Sequence, residues 1–310
     1  MNYPNIFAIV GATCSGKSAL SLELAPLLNA YIFSLDSLCI YREVDIASAK
    51  PSNDELAKIK HFAINILSPN EHVSASLFLS LLHESVQYCK KEQKNLLIVG
   101  GSSFYLKAIM QGLSPLDTFQ GDNIRQTDFM MLKEQPLSEQ YKFLANIDSV
   151  YAEKISSNDT YRITKALEIF FQTNMSPTQF FIQNPPVPFF LPINIYSLIV
   201  PKVILHKNIE IRTHNMMKSG IIKEATRLLE TYGSEIQPFK SIGLKECLMF
   251  LRGEIGECEL EHLIALHTRQ LAKRQTTFNR TQFSSMTQIC HPFNIQAIAH
   301  DMLTKIKTID

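Results

Sequence analysis

Several marks of secretion, metal organisation and membrane residence are missing from this chain. Its six cysteines (Cys14, Cys39, Cys89, Cys247, Cys258 and Cys290) include no C-x-x-C pair. That excludes the usual zinc spacing and a disulfide framework, and it leads us to expect a reducing, cytoplasmic compartment. No basic stretch followed by an apolar core opens the sequence, and no apolar run approaches the length of a membrane span. Neither a signal peptide nor a transmembrane helix is therefore expected. Charge of one sign is missing too: 30 Lys and Arg stand against 29 Asp and Glu, a formal charge of +1. Any nucleic-acid contact has to rest on a local cluster. There are no internal repeats and no low-complexity tract. What remains is a globular composition, 45% hydrophobic over 310 residues, enough for one large domain or two.

The most informative stretch is Gly11-Ala12-Thr13-Cys14-Ser15-Gly16-Lys17-Ser18, which fits the P-loop pattern G-x-x-x-x-G-K-[ST]. It follows the apolar run Ile6–Val10 and precedes a helical pattern over Ala19–Leu28. Gly11 and Gly16 permit a tight path that turns backbone N–H groups toward one point. Lys17 and the start of the helix add positive charge, and the Ser18 hydroxyl is placed to ligate Mg²⁺. This predicts a site for a diphosphate or triphosphate.

The next apolar strand, Tyr31–Leu35, ends at Asp36. Strands of open parallel sheets deliver their last residues to the ligand crevice, so Asp36 is expected to face the P-loop, holding Mg²⁺ through water or acting as a base. A turn or helix-capping aspartate is the plainer alternative. The stretch Ile40–Pro51 reads as a loop over the site. Helices are expected over Asp54–His61 and Leu77–Lys91, with a short strand near Phe62–Leu67. The buried strand Leu96–Val99 runs into Gly100-Gly101-Ser102-Ser103 and lacks the acid of a motor-type NTPase.

From residue 113 to 192 the pattern turns helical, with segments at Asn123–Lys133, Ser138–Leu144 and Thr160–Phe171 and caps expected at Ser138 and Thr160. The fold class predicted is α/β: a P-loop core with a parallel sheet, formed by residues 1–112 and 193–310, and a helical insertion of residues 113–192. The sheet resumes at Ile195–Val200, and helices follow that end at Gly220 and Gly233. On the last long helix, about Glu259–Phe283, Ile264, Leu271 and Phe278 share one face and Arg269, Lys273, Thr276 and Arg280 the opposite one. From His267 to Arg280 there are four Lys or Arg and no acid. That face is either solvated or a row of phosphate contacts for a nucleic acid.

With these features in place the chain resembles the tRNA dimethylallyltransferase family. Asp36-Ser37-Leu38-Cys39-Ile40-Tyr41 followed by Asp45-Ile46-Ala47-Ser48-Ala49-Lys50-Pro51 is similar to the family's D-S-x-x-[IV]-Y and D-I-G-T-A-K-P. Val99-Gly100-Gly101-Ser102 resembles V-G-G-T, Ser74–Phe78 resembles S-A-x-x-[FY], Asp159–Glu168 resembles D-x-x-R-x-x-R-A-L-E, and Leu271–Gln275 matches L-A-K-R-Q. Ala12 and Cys14 replace a common Pro and Ala, Leu244 a usual Tyr, and Asn208 a frequent Arg.

The resemblance implies transfer of a dimethylallyl group from dimethylallyl diphosphate to the amine of the adenosine beside the anticodon, with Mg²⁺ as cofactor. It implies that the insertion grips the tRNA anticodon stem-loop, and that the chain acts as a monomer without a membrane. In these terms residues 11–18 hold the diphosphate, Thr13 and Arg212 act at the leaving group, and Asp36 takes the amine proton. Ser37, Leu38, Cys39 and Ser102 stand beside the flipped base. Further tRNA contacts are implied for Arg125, for Tyr161, Arg162, Ile163, Thr164 and Lys165, for Lys240, Ser241, Ile242, Gly243, Leu244 and Lys245, and for Lys273, Arg274 and Arg280. Two competing readings exist. A P-loop small-molecule kinase would leave the insertion and the basic helix without a role, and a tRNA-binding module with a decayed P-loop would not need Lys17, Ser18 and Asp36.

Overall fold

The computed structural model describes residues 3–114 and 126–306. It divides into two compact units, Met1–Met110 with Phe190–Asp310, and Gln111–Phe189.

The larger unit is built on a six-stranded sheet: β1 (Ile6–Gly11), β2 (Ala30–Ser34), β3 (His61–Phe62), β4 (Asn95–Val99), β5 (Ile193–Ile199) and β6 (Thr287–Cys290). The strand order is β3-β2-β4-β1-β5-β6 and every pair is parallel. β1 is central, and all six of its residues are buried, as an apolar run covered on both faces must be. Parallel pairing aligns the carboxyl ends of β1, β2 and β4 along one edge, so the three loops that follow converge there.

Helices α1 (Lys17–Leu27), α2 (Asn53–Lys58), α3 (Ala75–Glu92) and α4 (Ser103–Gln111) lie in the first half of the chain. In the smaller unit come α5 (Gln126–Lys133), α6 (Leu137–Ile147), α7 (Ser149–Ala152), α8 (Thr160–Thr173) and α9 (Pro177–Gln183). Back in the larger unit are α10 (Lys202–Ser219), α11 (Ile221–Tyr232), α12 (Leu244–Leu251), α13 (Glu257–Gln282) and α14 (Ile295–Thr304). One core cluster joins α1 and α14 to the sheet, with Leu24, Phe7, Tyr196 and Met302 at or below 1% exposure. Leu144, Ile163 and Leu167 centre a separate cluster in the smaller unit. No helix among the described residues is long and apolar enough to cross a membrane.

Several local expectations need correction. Ser138 does not cap its helix: Pro136 holds that position without a side-chain hydrogen bond, and Ser138 lies inside α6. Thr160 is the first residue of α8, and the cap is Asp159, whose carboxylate accepts the Arg162 N–H at 3.0 Å. The short strand near Phe62–Leu67 shrinks to His61–Phe62, and Leu67 makes only an isolated bridge to Tyr41. Gly220 and Gly233 do end their helices, at φ 92° and 77°, where a side chain would be strained. The proposed helical start at Asn123 lies outside the described residues.

Candidate active site

The P-loop leaves β1 at Gly11 and enters α1 at Lys17. Gly16, at φ 89°, makes the left-handed turn at the helix entrance, and Cys14 also takes a left-handed backbone at φ 62°. Such a conformation is costly for a side-chain-bearing residue, and Asn208 of α10 holds it by donating from Nδ2 to the Cys14 carbonyl at 3.2 Å. Small residues let the neighbouring helices come close. Ala12 packs in one buried cluster with Ile209 of α10 and with Ala265 and Ala272 of α13.

Lys17 is buried at 9% exposure, and its Nζ donates to the carbonyls of Gly11 at 3.0 Å and Ala12 at 2.7 Å. Burial lowers its pKa to about 8, while the nearby Asp36 carboxylate pulls in the opposite direction. Arg212 of α10 donates from Nη1 to Thr13 Oγ1 at 3.2 Å. Two cations thus stand at the P-loop with neutral oxygens as partners, an arrangement an anion can displace because a charged acceptor is the stronger one.

Asp36 lines the same cavity, of about 1270 Å³. Its Oδ1 accepts N–H groups from Leu38 at 2.8 Å and Cys39 at 3.2 Å. This turn geometry orients the carboxylate and leaves Oδ2 for a ligand. Ser18, Ser37, Leu38, Cys39, Ser102, Lys240, Ser241, Ile242 and Arg274 line the cavity as well. The loop after β4 approaches so closely that a Cβ on Gly100 would stand 2.0 Å from the Leu35 carbonyl oxygen. Only glycine fits there.

The loop after Asp36 is held by Glu224, which lies outside the cavity lining, and by Lys50, which is part of it. Glu224 of α11, buried at 6% exposure, accepts three consecutive N–H groups, from Asp45 and Ile46 at 2.8 Å and Ala47 at 3.0 Å. Lys50 donates to the Tyr41 carbonyl and to Asp45 Oδ1 and Asn65 Oδ1, at 2.5 to 2.7 Å. A second buried acid, Glu246, accepts the Gly243 N–H at 2.6 Å and pairs with His267 at 2.6 Å, fixing the segment that follows Lys240.

A family model described as IPP transferase matches residues 39–282. The chain belongs to the IPP transferase family. It is 47% identical over 281 residues to a tRNA dimethylallyltransferase of Helicobacter pylori, covering 91% of this chain and 89% of that one. It is 44% identical over 296 residues to one of Wolinella succinogenes, covering 95% and 98%. Among solved structures, a eukaryotic dimethylallyltransferase acting on tRNA superposes with a TM-score of 0.85 at 22% identity, over 99% of this chain and 81% of that one. That likeness bears on the fold.

The remaining family-type positions fall in three places. On α13, Lys273, Arg274 and Arg280 are exposed, and the first two line a shallow groove with Gln270, Thr277 and Thr281. Leu244 is fully buried at the start of α12, which turns its side chain into the interior. An aliphatic residue in place of the family's aromatic one therefore packs the core here. Gly243 and Lys245 flank it. In the smaller unit Tyr161 is 67% exposed, Thr164 is half-buried, and Ile163 is fully buried. Arg162 pairs with Asp159 and Lys165 with Glu168 on the surface of α8. Arg125 lies outside the described residues. Reasoning from motifs gave no role to Glu224, Lys50 or Gln275, although the last two sit inside the matched patterns. Glu224 and Gln275 bond to main-chain groups of distant loops, and Lys50 to the Tyr41 carbonyl and the side chains of Asp45 and Asn65, none of which a motif reveals.

Proposed function

We propose that this member of the IPP transferase family moves the dimethylallyl group of dimethylallyl diphosphate onto the exocyclic amine of the adenosine 3′ to the anticodon in tRNA. It releases diphosphate and works as a monomer in the cytoplasm. The observation that carries this reading is one cavity lined by two displaceable cations and an oriented carboxylate. An allylic C–O bond breaks readily once the departing charge is stabilised, so the P-loop amides, Lys17 and Arg212 do most at the leaving group. Thr13, hydrogen-bonded to Arg212, stands where the bridging oxygen departs. The amine is scarcely acidic, so Asp36 accepts its proton on Oδ2 as the new C–N bond forms, not before.

The donor set along the cavity, the hydroxyl of Ser18 with the carboxylate of Asp36 nearby, is all oxygen. This suits Mg²⁺, which takes few protein ligands where phosphates and water supply the rest. When bound, the metal adds neutralisation of the diphosphate charge.

The adenosine leaves its stack to enter, at a cost of a few kcal/mol that is small for a loop nucleotide. Ser37, Leu38, Cys39 and Ser102 receive it. Exposed cations on α13, with Tyr161, Arg162 and Lys165 of the smaller unit, bind the anticodon stem-loop backbone. A small-molecule kinase would share the P-loop but not the family. Incubation of the purified chain with radiolabelled dimethylallyl diphosphate and unmodified tRNA, beside an ATP-consumption assay, decides between them. Label in tRNA without ATP loss is expected, and phosphoryl transfer without labelled tRNA would overturn the reading.

A further inference from the structure

Gln275 of α13 reaches two loops at once. Its Oε1 accepts the Thr13 N–H at 2.7 Å, and its Nε2 donates to the Gly101 carbonyl at 3.0 Å. Thr13 belongs to the loop after β1 and Gly101 to the loop after β4, two adjacent parallel strands. The main chain does little to tie these loops together where they leave the sheet: the Gly100 N–H to Ile9 carbonyl bond is already stretched to 3.4 Å. Beyond that point the glutamine amide links them instead. The chemistry needs an amide, because the group must accept at one end and donate at the other. Gly101 makes room for it, since a Cβ there would stand 2.5 Å from Nε2.

We infer that Gln275 is a positioning residue that sets the separation of donor and acceptor, an inference that rests on the transferase reading above. Thr13 stands at the leaving group and Ser102, next to Gly101, beside the acceptor base. Fixing one loop to the other fixes the allylic carbon relative to the amine. When the C–O bond breaks, diphosphate leaves with the electron pair and two nucleophiles compete for the carbon. Attack by the amine forms the C–N bond, and the proton passes to Asp36. Attack by water forms dimethylallyl alcohol, and the proton passes to solvent. A loosened strap favours water.

The test uses the full chain with radiolabelled dimethylallyl diphosphate and unmodified tRNA. The single-turnover transfer rate, the share of label recovered as alcohol and the affinity for each substrate are measured together. Gln275→Met keeps the length and removes both hydrogen bonds. It should slow transfer by about 100-fold, the effect expected of a misplacement near 1 Å, and raise the alcohol share. Both affinities should stay within about threefold of wild type, because both hydrogen bonds run within the chain and lost alignment lowers the rate of the chemical step rather than substrate binding. Gln275→Glu keeps the acceptor for Thr13 and loses the donor to Gly101, so it should fall between. Gly101→Ala, which pushes the amide off its carbonyl, should change rate and alcohol share in the same direction, and it decides the matter if Gln275→Met fails to fold. A wild-type rate and alcohol share in these variants would overturn the inference, as would a slower rate fully matched by weaker binding with no extra alcohol. If the wild-type chain labels no tRNA at all, the transferase reading itself fails, which is a different result from wild-type transfer with indifferent variants.

Discussion

The loops after β1 and β2 face the same cavity but use their charges differently. In the first, Lys17 and Arg212 bond to neutral oxygens of Gly11, Ala12 and Thr13. In the second, Lys50 is buried at 5% side-chain exposure against Asp45, and Glu224 takes three main-chain N–H groups. A cation held by dipoles remains available to an incoming anion, whereas a cation held by a carboxylate has already found its counterion. The first loop is therefore built for a ligand, and most of the second is built to hold one carboxylate, Asp36, in place.

The largest break in this contrast should come from the one group of the second loop that is left for chemistry. Asp36→Asn keeps the shape and an acceptor for Leu38 and Cys39, and transfer should slow by roughly two to four powers of ten. Single-turnover labelling of tRNA checks it, and a rate near wild type would remove Asp36 from the proton-accepting role.

The scaffold side of the contrast is tested by Glu224→Ala. It strands three N–H groups, which should cost about 3 kcal/mol of stability in urea unfolding. An unchanged midpoint would mean that the loop holds its shape without the clamp.

Arg212→Lys keeps the charge and loses the fork. The chemical step should slow by about tenfold while tRNA affinity holds, because a point charge matches diphosphate oxygens less well. Equal rates in single-turnover experiments would place the guanidinium away from the leaving group.

The last effect is a matter of pH. Burial lowers Lys17 to about 8 against an ordinary 10.5, with Asp36 opposing the shift. Between those values the unfolded chain holds the proton that the folded chain has lost, so the stability of the ligand-free protein should rise with pH across that window. Affinity for inorganic diphosphate should move the other way, falling by up to about tenfold per pH unit above 8. Calorimetric titration on both sides of pH 8 measures this, and Lys17→Met should flatten the dependence.

Much of this was readable from the residues. The P-loop announced itself because glycines, a lysine and a hydroxyl at fixed spacing have one mechanical use, and β1, β2, β4 and β5 were plain as apolar runs. The edge strand β6 was not, since Thr287–Cys290 is four residues with a single buried side chain. Glu224 and Gln275 were illegible for another reason. Their hydrogen bonds span 177 to 179 residues and 174 to 262 residues of sequence. A side chain bonding to distant main chain leaves no local pattern. Lys50 is a different case, a lysine inside a matched pattern whose ammonium is held by the Tyr41 carbonyl, Asp45 and Asn65.

The strand order also sets a timetable for the nascent chain. β1 pairs with β4 through Ile6↔Leu96 on one side and with β5 through Ile6↔Ile193 on the other. During synthesis at about 5–20 residues per second, the second edge of β1 waits on the order of ten to forty seconds for its partner. The intervening residues have their own core around Leu144, Ile163 and Leu167, whose contacts are short in sequence and close early. A ribosome that stalls between residues 111 and 189 would hold an apolar strand with one edge exposed, the kind of surface that recruits another chain.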